Sequence, residues 1–413
     1  MTYGVVAALC ATLALAGCGD DEPSPFQAPG EAEEAAVADL GLPVLATRNT
    51  TRVSTNDPVQ AAASVARAIY SGGAAETKAR AVALVDRRDW RSVLAATALM
   101  APPLGAPVLL SDGDDLPEAS EDALEALAPT GSDAAGGRAQ VIRVGATARP
   151  DGLRATNVDG TDPYAVALGV DRFAAAARKR QSNRILVVSA DAPEYAAPAA
   201  AWAAKTGDPI AFVTKAGIPP VTARQLRDHQ DPALYVLGPS KVVPPAVSKA
   251  LRRYGKVRRV GGQDPVTNAI AFARFRNGSF GWDINQPGHG FTFGRTTDPL
   301  TAITLAPLSA TGLHGPLLLL PDADALPAPV QEFLLDVRPG YQSDPSKGVY
   351  NRAWIVGDPE AITPGLQSKL DALLEIVPVD TRPPATSTRA TPPPARTTTG
   401  TTSAPTPPPS RDR

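Results

Sequence analysis

The 413-residue sequence predicts an α/β protein made of three tandem three-layer units, each with a parallel sheet. Three observations predict it. An Asp-Pro step recurs at Asp57-Pro58, Asp162-Pro163 and Asp264-Pro265, a period of 105 and then 102 residues. A second block repeats inside each interval: Asp89 precedes Pro107, Asp191 precedes Pro209 and Asp298 precedes Pro316, each by 18 residues. After each of these prolines comes a continuous apolar run, as expected of strands buried on both faces of a parallel sheet. The runs are Val108 to Leu110, Ile210 to Val213, and Leu317 to Leu320.

The elements of one unit follow in order. Asp at the N-cap and Pro at the first helical position start a helix, because the carboxylate accepts a free backbone N–H and Pro has none to satisfy. Each Asp-Pro step therefore opens an Ala-rich helix, such as Val59 to Tyr70. Strands are expected next at Ala81 to Val85, Ile185 to Ser189 and, more degenerate, Phe291 to Phe293. A helix leads to the buried strand, and another follows it, for example Glu118 to Leu127 and Pro329 to Leu335. A last strand runs to a glycine at Gly145, Gly238 and Gly357. This alternation makes a parallel sheet covered on both faces through right-handed crossovers.

Composition agrees. Hydrophobic residues are 43% and aromatic residues 5%, so the interior is built from Ala, Val, Leu and Ile. Net charge is −2, with seven acids and no Lys or Arg in residues 1–43, and five Arg against two Asp in 379–413. The body between is close to neutral, which argues against nucleic acid as partner. The two cysteines, Cys10 and Cys18, precede the body, which leaves it no disulfide and no Cys-based metal site.

The ends read differently. Residues 1–18 form a signal segment, with an apolar run from Val5 to Ala16 too short to span a bilayer. Leu15-Ala16-Gly17-Cys18 resembles a lipobox, which implies lipid attachment at Cys18 and a protein anchored on the outer face of the membrane. No Lys or Arg precedes the apolar run. Residues 19–43 are an acidic Pro/Ala linker, and 379–413 a disordered Pro/Thr-rich tail with potential for O-glycosylation. Between them lie the copies at 44–155, 156–256 and 257–378.

These blocks resemble the type 2 cell wall-binding repeats of Gram-positive surface proteins. Arg259-Val260-Gly261-Gly262-Gln263-Asp264 matches the family's opening, and Gly105-Ala106-Pro107-Val108-Leu109-Leu110 its buried strand. Pro stands where the family has Arg after each opening Asp, and Asn157 replaces the leading Arg of the second copy. The resemblance implies a pseudo-threefold triplet within one chain, as an intramolecular pseudo-trimer of a monomer. It also implies non-covalent binding to anionic cell-wall polymer or peptidoglycan. The residues expected to carry that binding are Arg52, Asp57, Asp89, Asp162, Asp191, Arg259, Asp264 and Asp298. Arg52 and Arg259 would offer charge-assisted hydrogen bonds to phosphate or carboxylate. For the three opening Asp residues, helix capping is an equally good reading.

No cofactor, metal or catalytic residue is expected. His229, His289 and His314 share no ligand spacing and read as loop or surface residues, and Ser189 lacks a Gly-x-Ser-x-Gly elbow. Gly261-Gly262 and Gly288-x-Gly290 fall short of a phosphate-loop fingerprint. The aromatic stretch from Phe275 to Arg295 has two readings, a sugar-stacking loop or a packed linker. Two other functions stay open: an exported enzyme using carboxylates at the strand ends, where open α/β sheets bind ligands, and a scaffold with decayed sites.

Overall fold

The computed structural model describes residues 44–70 and 78–379. Cys18, the linker before residue 44 and the tail from residue 380 lie outside the described residues. The chain opens with β1 (Val44–Ala46) and β2 (Thr50–Val53), then α1 (Pro58–Ile69), β3 (Val82–Asp86), α2 (Trp90–Ala96), β4 (Val108–Ser111), α3 (Glu118–Leu127), β5 (Val141–Val144) and β6 (Ala155–Val158). The second copy contributes α4 (Pro163–Arg178), β7 (Arg184–Ser189), α5 (Pro193–Ala196), α6 (Ala199–Thr206), β8 (Ile210–Val213), α7 (Pro220–Arg227), β9 (Ala233–Leu237), α8 (Pro245–Leu251) and β10 (Lys256–Val260). The third adds α9 (Pro265–Arg274), β11 (Gly290–Arg295), α10 (Pro299–Ile303), α11 (Ala306–Ala310), β12 (Leu317–Leu320), α12 (Ala328–Asp336), β13 (Gly340–Tyr341), β14 (Arg352–Val356), α13 (Pro364–Leu374) and β15 (Val377–Pro378).

Three sheets share one strand order: β4-β3-β5-β6, β8-β7-β9-β10 and β12-β11-β14-β2. All pairings within these sets are parallel, and β1 extends the third sheet as an antiparallel edge. The strand ahead of each Asp-Pro step therefore completes the sheet of the preceding copy. The third sheet has no following copy, so its fourth strand comes from the start of the chain. β2 pairs with β14 in register from Ala353↔Thr50 to Val356↔Val53, and the arrangement closes on itself.

The helix starts follow the local chemistry. Asp57 accepts the Val59 N–H at 2.8 Å, Asp162 accepts those of Tyr164 and Ala165 at 2.9 Å, and Asp264 accepts that of Thr267 at 2.9 Å. Each such cap is worth about 1 kcal/mol. The helix each one opens then packs on the buried strand of its own copy: α1 on β4, α4 on β8 and α9 on β12.

Where the copies meet, the packing is made of small side chains. The 3₁₀ turn Thr97–Met100, α6 and α11 touch one another at the centre, and Ala98, Ala199, Ala200, Ala203, Ala204 and Ala306 are buried there. Alanine lets these backbones approach closely, which is why so few aromatic residues fill so large an interior. The aromatic side chains are concentrated instead around Trp202. Phe280 and Trp282 lie 4.9 and 5.3 Å from it, and Tyr235 stacks on Phe280. Phe280, Trp282 and Phe291 are buried, so the aromatic stretch between copies two and three is a packed connector.

Candidate functional site

The carboxyl ends of the first strand in each sheet can be superposed through one hydrogen bond. The N–H groups of Ala83, Leu186 and Thr292 donate to the carbonyls of Pro107, Pro209 and Pro316. Counting from there, Asp86, Ser189 and Arg295 occupy one position at the mouth of the crevice beside the central strand. Three different side chains give three different crevices.

In the first copy the crevice is occupied by its own ion pairs. Asp86 holds Arg88 through Nε and Nη2 at 2.7 to 3.0 Å, and Arg87 pairs with Asp112 at 2.7 Å. Burial pushes the Asp86 carboxyl up, but the Arg88 hydrogen bonds and charge outweigh it and leave the pKa below the usual value. Asp89 caps α2, accepting the Ser92 N–H at 3.1 Å and its hydroxyl at 2.6 Å.

In the second copy Ser189 is buried and its Oγ accepts the Asp191 N–H at 3.1 Å. The Asp191 carboxylate turns to the Lys215 N–H at 3.3 Å, and the residue at the N-cap of α5 is Ala192. The shared 18-residue spacing thus misplaces Asp191 by one residue. The turns after β3, β7 and β11 are each three residues long. The stretch from N-cap to proline is 17 residues in the second copy, Ala192 to Pro209, against 18 in the others, so the match in spacing does not carry a match in position.

The third copy differs. A cavity of about 260 Å³ opens at the carboxyl ends of β11, β14 and β2, lined by Asn56, Arg295, Thr297, Asp298, Thr301, Val356 and Ala361. It lies where β11 and β14 diverge to opposite connections, the switch point at which open α/β sheets admit ligands. Asp298 caps α10 through the Thr301 N–H at 3.2 Å. Thr301 Oγ1 donates to the Asn56 carbonyl at 3.3 Å, and Asn56 is clamped by Asp358 through Nδ2 at 2.5 Å and Oδ1 at 3.2 Å. Arg295 Nη1 is buried and has no hydrogen-bond partner. A guanidinium with an unmatched donor, flanked by hydroxyls, an amide and a carboxylate, can take an anionic group and its neighbouring hydroxyls.

Of the residues nominated by the sequence, only Asp298 borders this cavity. Asp57, Asp162 and Asp264 sit exposed at helix starts in separate copies. Arg52 and Arg259 were expected to face a polymer, and the structure turns both inward. Arg52 is 1% exposed and donates to Gln367 Oε1 and to the carbonyls of Gly357, Asp358 and Ile362 at 2.7 to 2.9 Å. Burial lowers its pKa to about 10, partly opposed by Asp358. Arg259 donates to the carbonyls of Gly238 and Val243 and to Ser248 at 2.6 to 2.7 Å. Both arginines tie down the loop after the last strand of a sheet. In the copy with Asn157, Arg143 from the adjacent strand does this work, donating to the carbonyls of Thr147 and Ala148 and to Asn157 Oδ1.

The three histidines lie in loops, as expected, but their surroundings differ. His229 is buried, with Nδ1 2.8 Å from the Ser182 carbonyl and Nε2 2.7 Å from Asp171 Oδ2. Both partners accept, so the doubly protonated ring satisfies both. Burial opposes the charge, but the Asp171 contact outweighs it and the pKa is raised above 6.5. His314 goes the other way, to about 4, through burial and the nearby Arg352. Among the described residues no three His, Cys, Asp or Glu side chains are grouped to hold a metal ion, and no helix is long and apolar enough to cross a membrane.

Sequence comparison finds no matching protein-family model and no matching curated protein. Three sheets of identical order closed by an N-terminal strand do find counterparts among solved structures. The chain shares the fold of Cwp6 and Cwp8 from Clostridium difficile. Cwp6 superposes with a TM-score of 0.60 at 18% identity over 78% of this chain, and Cwp8 with 0.57 at 17% over 83%. The chain spans about half of each, 48% of Cwp6 and 54% of Cwp8.

Proposed function

We propose that this chain is a non-enzymatic cell-surface lipoprotein, anchored through Cys18, that holds an anionic cell-wall glycopolymer or peptidoglycan non-covalently. The observation that carries the reading is the cavity of the third sheet, with Arg295 Nη1 unmatched at the switch point. Its size suits one sugar unit bearing a phosphate or carboxylate. Arg295 binds the charge, while Thr297 and the free face of Asp298 bind hydroxyls. The resemblance of the sequence to type 2 cell wall-binding repeats and the likeness in fold to Cwp6 and Cwp8 support the same reading.

The test is retention of the full chain on purified wall sacculi before and after extraction of their anionic polymers. Retention should fall on extraction, and Arg295→Ala should lower it about tenfold, as expected for a lost charge-assisted contact of about 1.4 kcal/mol or more. No retention on intact sacculi would overturn wall binding. Equal retention of Arg295→Ala would remove the cavity from it.

A further inference from the structure

The fourth strands of the three sheets are equivalent in position but not in chemistry. β2 is covered by β1, and β6 presents Ala155, Thr156, Asn157 and Val158. β10 is the free edge of the second sheet and reads Lys256-Val257-Arg258-Arg259. The whole segment from Pro232 to Gln263 contains seven Lys and Arg and no Asp or Glu. Lys241, Lys249, Arg252, Arg253, Lys256 and Arg258 are exposed, and of these Lys256 alone has an ion-pair partner, Asp231.

Protection from edge-to-edge pairing does not account for so much charge. A single lysine, a bulge or a covering strand is enough to blunt an edge, and β6 manages with polar residues alone. Six exposed cations close in sequence repel one another, a cost that a bound polyanion would reverse.

We propose that the β10 edge is a docking strip for a polyanionic chain with phosphodiester repeats, a polyol phosphate of the wall. This rests on the wall-binding reading above and names the chemistry and the path of the polymer. Alternate strand residues lie about 6.6–6.8 Å apart, a spacing of the order of one repeat of a polyol phosphate, so Lys256 and Arg258 meet successive phosphates. These two point to one face of the sheet. Arg259, bonded to Val243 and Ser248, points to the other, and Lys249, Arg252 and Arg253 belong to α8 and its end on that second face. Positive charge therefore lies on both sides of an edge. That suits a flexible chain that follows the strand, whereas a membrane presents its headgroups in a plane.

The probe is fluorescent poly(glycerol phosphate), titrated against the full chain, its Arg252→Glu/Lys256→Glu/Arg258→Glu variant and Arg295→Ala. The wild type should bind, with affinity that falls steeply as salt rises, and the triple variant should bind about tenfold or more weakly. All three positions are exposed, and an unchanged circular dichroism spectrum and denaturation midpoint will show that the fold is intact. Equal binding by the triple variant and the wild type overturns the proposal. So does a wild type that binds sacculi but not the probe, in which case wall binding stands without this strip. Binding to phosphatidylglycerol vesicles in place of the probe also overturns it and assigns the strip to the membrane. Failure of the wild type on sacculi is a separate result that removes the broader reading.

Discussion

Arg52 is a charged side chain in a place where charge is expensive, and four hydrogen bonds compensate for it. Removing one side of such an arrangement leaves carbonyls unsatisfied in the interior. Arg52→Met should therefore destabilise the fold by about 3 kcal/mol or more, read from the urea midpoint. His229 makes a pH-dependent contribution. Its folded pKa lies above the unfolded value of 6.5, so its stabilisation is complete below that value and is lost as pH rises through the folded pKa. Denaturation midpoints of the wild type should fall from pH 6 into the alkaline range by more than those of His229→Gln. Equal slopes would show that the Asp171 contact does not hold the proton. Neither residue's burial is legible from its type, since Arg and His are usually exposed or half-exposed.

At the scale of elements, capping separates three aspartates that look alike in sequence. Asp89 and Asp298 accept backbone N–H groups of the helix they open, whereas Asp191 accepts one from a loop. Asp89→Ala and Asp298→Ala should each cost about 1 kcal/mol, and Asp191→Ala no more than about 0.5 kcal/mol, by chemical denaturation. A cost for Asp191→Ala equal to the others would mean that the turn after β7 can shift to restore the cap. The helices and buried strands themselves were legible because their apolar periods and Asp-Pro starts are local properties. Glu118–Leu127 begins and ends where the sequence places it, and α1 differs by one residue at each end. The cap position in the second copy was not legible, because an 18-residue count from Asp to Pro does not show that the stretch from N-cap to proline is one residue shorter there.

For the whole molecule the decisive contact is β2 on β14. Without it the third sheet has an unpaired parallel edge in the middle of the molecule's closure, and the carbonyls around Gly357 lose Arg52. Deleting residues 44–53 should lower the thermal midpoint and shift the protein from monomer to oligomers in size-exclusion chromatography, as β14 takes a strand from another copy. A monomeric deletion variant with an unchanged midpoint would show that closure is dispensable.

The sequence by itself determined the α/β class, the three-part period, the Asp-Pro helix starts and the buried strands. All of these follow from short-range hydrogen bonding and from the pattern of apolar residues along the chain. The tertiary structure decided which sheet each opening strand joins, that Arg52 and Arg259 face carbonyls inside, and that Arg295 stands over a cavity while Asp86 is neutralised by Arg88. Those outcomes depend on partners up to about three hundred residues away, as with Arg52 and Gly357, and on which strand end a side chain reaches. Aligning the copies on their first strand would have singled out Arg295 beside Asp86 and Ser189. Only the packed molecule shows that its donor is unmatched.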